Sequence, residues 1–128
     1  MDYYFSKTIT DTFDNAINKV ILGLKTEGFG VLTEIDVKAT FKKKLDADLY
    51  NYKILGACNP IFAYNAIQVE DKIGTMLPCN VIIQEKIPGQ IEISAIDPLI
   101  SMLSIDNKKL QDIASEVRKK IQKVIKEL

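Results

Sequence analysis

Between Leu110 and Leu128 the chain puts Leu110, Ile113, Ala114, Val117, Ile121, Val124, Ile125 and Leu128 on one side of a helix. Lys109, Arg118, Lys119, Lys120, Lys123 and Lys126 fall on the other side. A helix this one-sided needs an apolar surface to lie on. A second stripe, Phe13, Ile17, Val20, Ile21 and Leu24, has the same period. It follows the capping candidates Thr10 and Asp11 and stops before Gly28, a residue free to take the left-handed conformation. Two such helices require a sheet, and the intervening sequence supplies strands. The lysine-rich side of the last helix reads as a solvated face, with cations favoured toward a helix C-terminus.

Tyr3, Phe5 and Ile9 alternate with Ser6 and Thr8, Lys7 breaking the pattern, and predict a strand. Val31, Ile35, Val37, Ala39 and Phe41 alternate with Glu34, Asp36, Lys38, Thr40 and Lys42. That predicts one long strand over 31–41 with one wet face, and makes Lys42-Lys43-Lys44 an exposed strand end that blocks edge pairing. Asp46 and Asp48 mark a turn. Tyr50, Tyr52 and Ile54 then begin a strand expected to pair with its predecessor as an antiparallel hairpin through a short connection.

Asn59-Pro60 predicts a helix start, with Asn59 as side-chain cap and Pro60 at the first helical position. The helix that follows reads as mostly buried and running to about Lys72. Pro78 opens a strand in which Val81, Ile82 and Ile83 are consecutive, so both of its faces are expected to be covered. Pro88-Gly89 marks a turn, and Ile91, Ile93 and Ala95 form the last strand, ended by Asp97-Pro98. Residues 98–103, PLISML, are apolar but follow neither period. Asp106 is the expected cap of the final helix, with Ile105 and Leu110 as a hydrophobic staple. The order is β-α-β-β-α-β-β-α, an α+β sandwich with its two long helices on one face, and the 128 residues suit one domain over 1–128.

Seventeen Lys and Arg balance seventeen Asp and Glu. A net charge of zero argues against wholesale nucleic-acid binding, which needs a surplus of cations to displace counterions from phosphate. The opening MDYYFSKT has no basic head followed by an apolar run, and no stretch approaches the roughly eighteen consecutive apolar residues of a membrane span. The expectation is therefore a cytoplasmic protein without a membrane partner, in a compartment where a structural disulfide is disfavoured. There is no histidine, which removes any Ser/His/Asp constellation. No Walker or Rossmann glycine pattern occurs. Glu34, Asp36, Glu85, Glu92 and Asp97 lie on or beside strands, where two of them could meet as an acid–base pair; solvated charges are the plainer reading.

Three blocks stand out: Leu55-Gly56-Ala57-Cys58-Asn59-Pro60, Leu77-Pro78-Cys79-Asn80-Val81 and Ser94-Ala95-Ile96-Asp97-Pro98. In this order and spacing they resemble the bacterial family called domain of unknown function 302 (DUF302), over nearly the whole chain. The resemblance implies a TATA-binding-protein-like fold: a five-stranded, mainly antiparallel sheet, two long helices on one face, and a short inserted helix. It implies a homodimer. It implies no established activity, so it transfers no catalytic residue, and its fold name carries no expectation of DNA binding.

Both cysteines, Cys58 and Cys79, lie in these blocks. Cys58 precedes a predicted helix start, where free N–H groups favour a thiolate and can also hold an anion. Buried, passive cysteines are the default. The open alternatives are a reactive thiol at Cys58 with Cys79 as resolving partner, and a small-anion site formed by Cys58, Asn59 and Asn80. No cofactor is expected. Two thiolates fall short of the four ligands of structural zinc, so no metal is expected either. The separation of positions 58 and 79 also rules out a thioredoxin-like Cys-x-x-Cys. The reading is a homodimeric binding or interaction module, with PLISML and the short helix lining a groove or the subunit contact. Whether it is an enzyme stays open.

Overall fold

The computed structural model describes residues 2–128. Five strands form one sheet in the order β1-β5-β4-β3-β2, all neighbours antiparallel. They are β1 (Tyr4–Thr10), β2 (Gly30–Asp36), β3 (Asn51–Cys58), β4 (Cys79–Ile87) and β5 (Gln90–Ile96). The long helices α1 (Phe13–Thr26) and α5 (Lys108–Lys126) cover one face. This is the expected α+β arrangement, with strand order now defined. Shorter helices α2 (Val37–Leu45), α3 (Pro60–Val69) and α4 (Pro98–Ser101), and a 3-10 turn over Asp71–Met76, decorate it.

The helix-covered face is the core. Leu55, Val81, Ile83, Ile91, Ile93 and Ala95 meet Val20 and Leu24 of α1 and Ile121 and Val124 of α5. Lys7, which breaks the alternation of β1, sits on this same face. Its Nζ donates to the Lys126 and Leu128 carbonyls at the end of α5, where a cation complements the helix dipole and unpaired carbonyls. Thr12, not Thr10 or Asp11, caps α1, its hydroxyl accepting from Asn15 N. Asn107, not Asp106, caps α5, accepting from Leu110 N. Asn107 Nδ2 also donates to the Val69 carbonyl, 2.8 Å away, so the cap joins α5 to α3. Ile105 and Leu110 still share a small second cluster with Ala66, Ile73 and Met102.

The predicted strand over 31–41 is wrong in its second half: it ends at Asp36 and Val37–Leu45 is helical. Asp36 accepts from Ala39 N at 2.9 Å, a side-chain cap. Val37, Phe41 and Leu45 lie four apart, a helical spacing that the alternation of residues 37–41 conceals. Lys42–Lys44 therefore form the last turn of a helix rather than a strand end. The β2–β3 connection is this helix, not a short turn. A bulge between Val31 and Thr33 reverses the facing of β2: Val31 pairs with Ala57 on the helix side, whereas Ile35 pairs with Ile54 on the opposite side.

Three further expectations change. The helix after Asn59 stops at Val69 and is mostly exposed; only Ala66 is buried, while Ile61 and Tyr64 face solvent. PLISML begins as one helical turn capped by Asp97, and Pro98 and Met102 are buried beneath it. Ile82 is only half-buried, because the sheet face away from α1 and α5 is open.

Candidate functional site

β3 runs toward one end of the sheet, β4 leaves it and β5 returns. The antiparallel register therefore brings Ala57 opposite Cys79 and Val81 opposite Ala95. All three sequence blocks meet at this end, and most of their distinctive residues are engaged by the fold.

Gly56 permits a close approach. A Cβ there would stand 2.3 Å from Thr33 Oγ1 and 2.8 Å from Pro78 Cγ, well inside contact distance. Pro78 follows a cis peptide bond with Leu77. Asn59 occupies the N-cap position of α3, but its side chain makes no bond to that helix. Instead Nδ2 donates to the Glu27 carbonyl at 3.2 Å, fastening the start of α3 to the end of α1. It lies against Gly28, whose φ of +85° suits glycine and where a Cβ would come within 3.0 Å of the amide.

Asp97 is 2% exposed. Its carboxylate accepts from Leu99 N at 3.1 Å and Ile100 N at 3.4 Å, and from Arg118 Nε at 2.9 Å. Arg118 is thus not simply part of a solvated basic face; its guanidinium also lies 5.3 Å from the centre of the Phe5 ring. Of the other strand carboxylates, Glu85, Glu92 and Asp36 have separate structural partners, and Glu34 is exposed. Glu85 accepts from Gly89 N and Asn51 Nδ2, both at 2.9 Å, and these bonds hold its pKa below the usual carboxylate value. Glu92 pairs with Lys86 at 3.6 Å, and Asp36 caps α2.

Cys58 is half-buried and Cys79 buried, and both are free. Burial pushes the Cys58 thiol up, opposite to the direction expected for an activated thiolate. Burial, with the neighbouring Cys58 as a lesser cause, raises Cys79 to about 11. Cys58, Asn59 and Cys79 line one cavity of about 40 Å³ beneath α3, walled by apolar residues including Phe62, Met102 and Val117. Asn80 is exposed and lines a concavity of about 480 Å³ on the open sheet face, with Tyr3, Tyr4, Tyr52, Gln84 and Lys86, and shares with Cys79 another of about 290 Å³. The structure therefore brings three of the four candidate residues to the buried cavity and leaves the fourth on the surface beside Cys79. The open face, and Met102 beside the cysteines, were missed in the sequence. Tyr52, Gln84 and Ser94 alternating with the apolar positions of their strands are the signal that points to the former.

The family model described as a domain of unknown function, DUF302, matches residues 5–128. The chain belongs to the DUF302 family. A crystal structure of an uncharacterized conserved DUF302 protein from Bacillus stearothermophilus is 23% identical and covers 97% of this chain and 96% of that one, with a TM-score of 0.89. That likeness shows the fold. Comparison with curated protein sequences gives no match. In this DUF302 chain, Gly56, Asn59, Pro78 and Asp97, all in the three blocks, close the sheet end and anchor α1, α3, α4 and α5 around it. No helix among the described residues is long and apolar enough to cross a membrane.

Proposed function

We propose that this DUF302 chain is a binding or interaction module that works as a homodimer through the β2–α2 edge. One observation supports the contact: α2 buries none of its nine residues, while Phe41 and Leu45 on it and Leu32 and Ile35 on β2 are 40–70% exposed. A helix this short is marginal in water and depends on packing. β2 is also an edge strand, ending the sheet with an unpaired row of N–H and C=O groups and no lysine or proline among Gly30–Asp36.

A second copy fits because the patch carries both signs of charge. Glu34 and Asp36 lie on or next to β2 and Lys42, Lys43 and Lys44 on α2, so a two-fold axis sets acid against base twice. Zero net charge adds no long-range repulsion. Two unpaired cysteines suit the reducing cytoplasm, where we place the protein. Sedimentation at high micromolar concentration is expected to give a two-chain particle, and Leu32→Asp with Phe41→Asp a folded monomer. A wild-type monomer at that concentration would overturn the reading. A dimer that survives this pair and is broken by Tyr64→Asp would move the contact to the exposed face of α3.

The open sheet face favours a second, compatible reading as a small-ligand site. Its 480 Å³ is of metabolite size, and Lys86, 3.6 Å from Glu92 in the same lining and half exposed, is the cation that can turn to a carboxylate or phosphate. Such a metabolite at a hundredfold excess over its Kd is expected to stabilise the fold by about 2.7 kcal/mol, an effect lost in Lys86→Ala. A metabolite screen without a melting shift would remove this reading.

A further inference from the structure

The small cavity beneath α3 has an unusual wall. Cys58, Cys79 and Met102 all line it. Cys79 and Met102 also line an adjoining concavity of about 290 Å³, together with Met76. These four are all the sulfur-bearing residues among the described positions, and they gather at one end of the sheet although they come from three separate stretches of the sequence. We propose that this cavity is a binding site for a soft monovalent metal ion, Cu(I), held by the sulfurs of Cys58, Cys79 and Met102.

Size and chemistry both narrow the occupant. A cavity of about 40 Å³ admits an ion or very few waters but no metabolite. A water or a hydrated hard cation needs two to four polar partners. The polar side chain in the wall is Asn59; its amide nitrogen is committed to the Glu27 carbonyl, which leaves a single amide oxygen, short of that number. Sulfur donors remain, and thiolate with thioether is the ligand set that selects Cu(I). Among the described residues no three histidine, cysteine or carboxylate side chains gather as a metal site, so the set suits neither structural zinc nor calcium.

Valence follows from burial. Cys79 is buried and Cys58 half-buried, and burial disfavours net charge, so a monovalent cation bound to one thiolate, a neutral pair, suits the cavity. One thiol proton leaves to solvent as the metal–sulfur bond forms, and no electron is transferred. A divalent ion needs both thiolates to reach the same neutrality. Met102 is then a ligand rather than filling, although its 5% exposure and its place in the small cluster with Ala66 and Leu110 suit either role.

The test is anaerobic competition of the reduced full-length protein with a chromogenic Cu(I) chelator, with Ag(I) as an air-stable probe in thermal melts. One Cu(I) per chain withdrawn from the chelator, and a melting temperature raised by Ag(I), are expected. Met102→Leu nearly conserves volume, so the metal-free fold is retained, while Cu(I) affinity is expected to fall about tenfold or more. Cys79→Ala is expected to abolish uptake, and Cys58→Ala does the same test at the less buried sulfur should Cys79→Ala fail to fold. No withdrawal from the chelator, equal affinity in wild type and Met102→Leu, or X-ray absorption showing nitrogen or oxygen neighbours would each overturn the proposal.

Discussion

The two edges of the sheet are built differently. At β1 the chain finishes its own surface: Phe5 and Ile9 pack against the main cluster, Lys7 closes the end of α5, and the Asp97 N–H donates to the Tyr3 carbonyl at 2.8 Å. Arg118 reaches from α5 to Asp97 and the Phe5 ring. At β2 only Val31 packs against the main cluster. A bulge turns Ile35 away from the helices, and α2 leaves its apolar residues uncovered. The difference teaches that an edge is finished by what lies over it, and that the β2 edge leaves Leu32, Ile35, Phe41 and Leu45 exposed in the single chain.

The largest effect is expected where the closed edge is tied down. Asp97→Ala removes two helix-cap bonds and the partner of Arg118. It should lower stability by about 2–3 kcal/mol, since hydrogen bonds to charged groups are the stronger kind; the partial exposure of Arg118 (36%) keeps the ion pair itself a modest part of that sum. Urea midpoints measure it, and a loss below half of this would mean the Asp97 ties are not what closes the edge. Gly56→Ala comes next. The collision with Thr33 Oγ1 and Pro78 should cost about 1–3 kcal/mol, and Thr33→Ala in the same chain should recover part of it. No recovery would show that β2 is not held at this contact.

Alkaline pH probes the buried end of the sheet. Cys79 has a folded pKa raised from 9.0 to about 11. Below pH 9 its thiol is neutral in both folded and unfolded chains and its contribution is fully present. As pH rises from 9 toward 11 the unfolded chain releases the proton more readily, so stability falls across that window. Cys79→Ala should flatten this part of the curve in alkaline melts; an unchanged slope would place the titration elsewhere. Lys7→Ala should cost only about 0.5–1 kcal/mol, the worth of a cation at a helix C-terminus. Smallest of all, Phe41→Ser with Leu45→Ser should leave monomer stability within about 0.5 kcal/mol of wild type, as for exposed sites, while weakening self-association in sedimentation. A large loss of monomer stability would mean the β2 edge is already closed within one chain.

Much of the candidate site could be read from the sequence as position but not as employment. The blocks around Cys58, Cys79 and Asp97 mark the sheet end at which they meet, because each sits where an apolar strand pattern starts or stops. Asn59 has the residue type and place of a helix cap, yet its amide goes to Glu27, thirty-two positions earlier in the chain. Cys58 precedes a helix start, yet burial dominates its titration. Met102 carried no signal within its apolar run, since nothing local shows that it lies beside two thiols.

The amphipathic stripes of α1 and α5, the alternation in β1 and β5, the apolar run of β4 and the turn at Pro88-Gly89 are local facts: period and turn chemistry decide them within about ten residues. They were enough to determine an α+β sheet with helices on one face. Only the tertiary structure decided that 37–45 is a helix without a core, that β2 reverses its facing, and that the sulfurs share a cavity. The physical reason is range. A periodic pattern says which side chains share a face, whereas the cover that face receives, and the partner each polar group takes, come from segments far away in the chain.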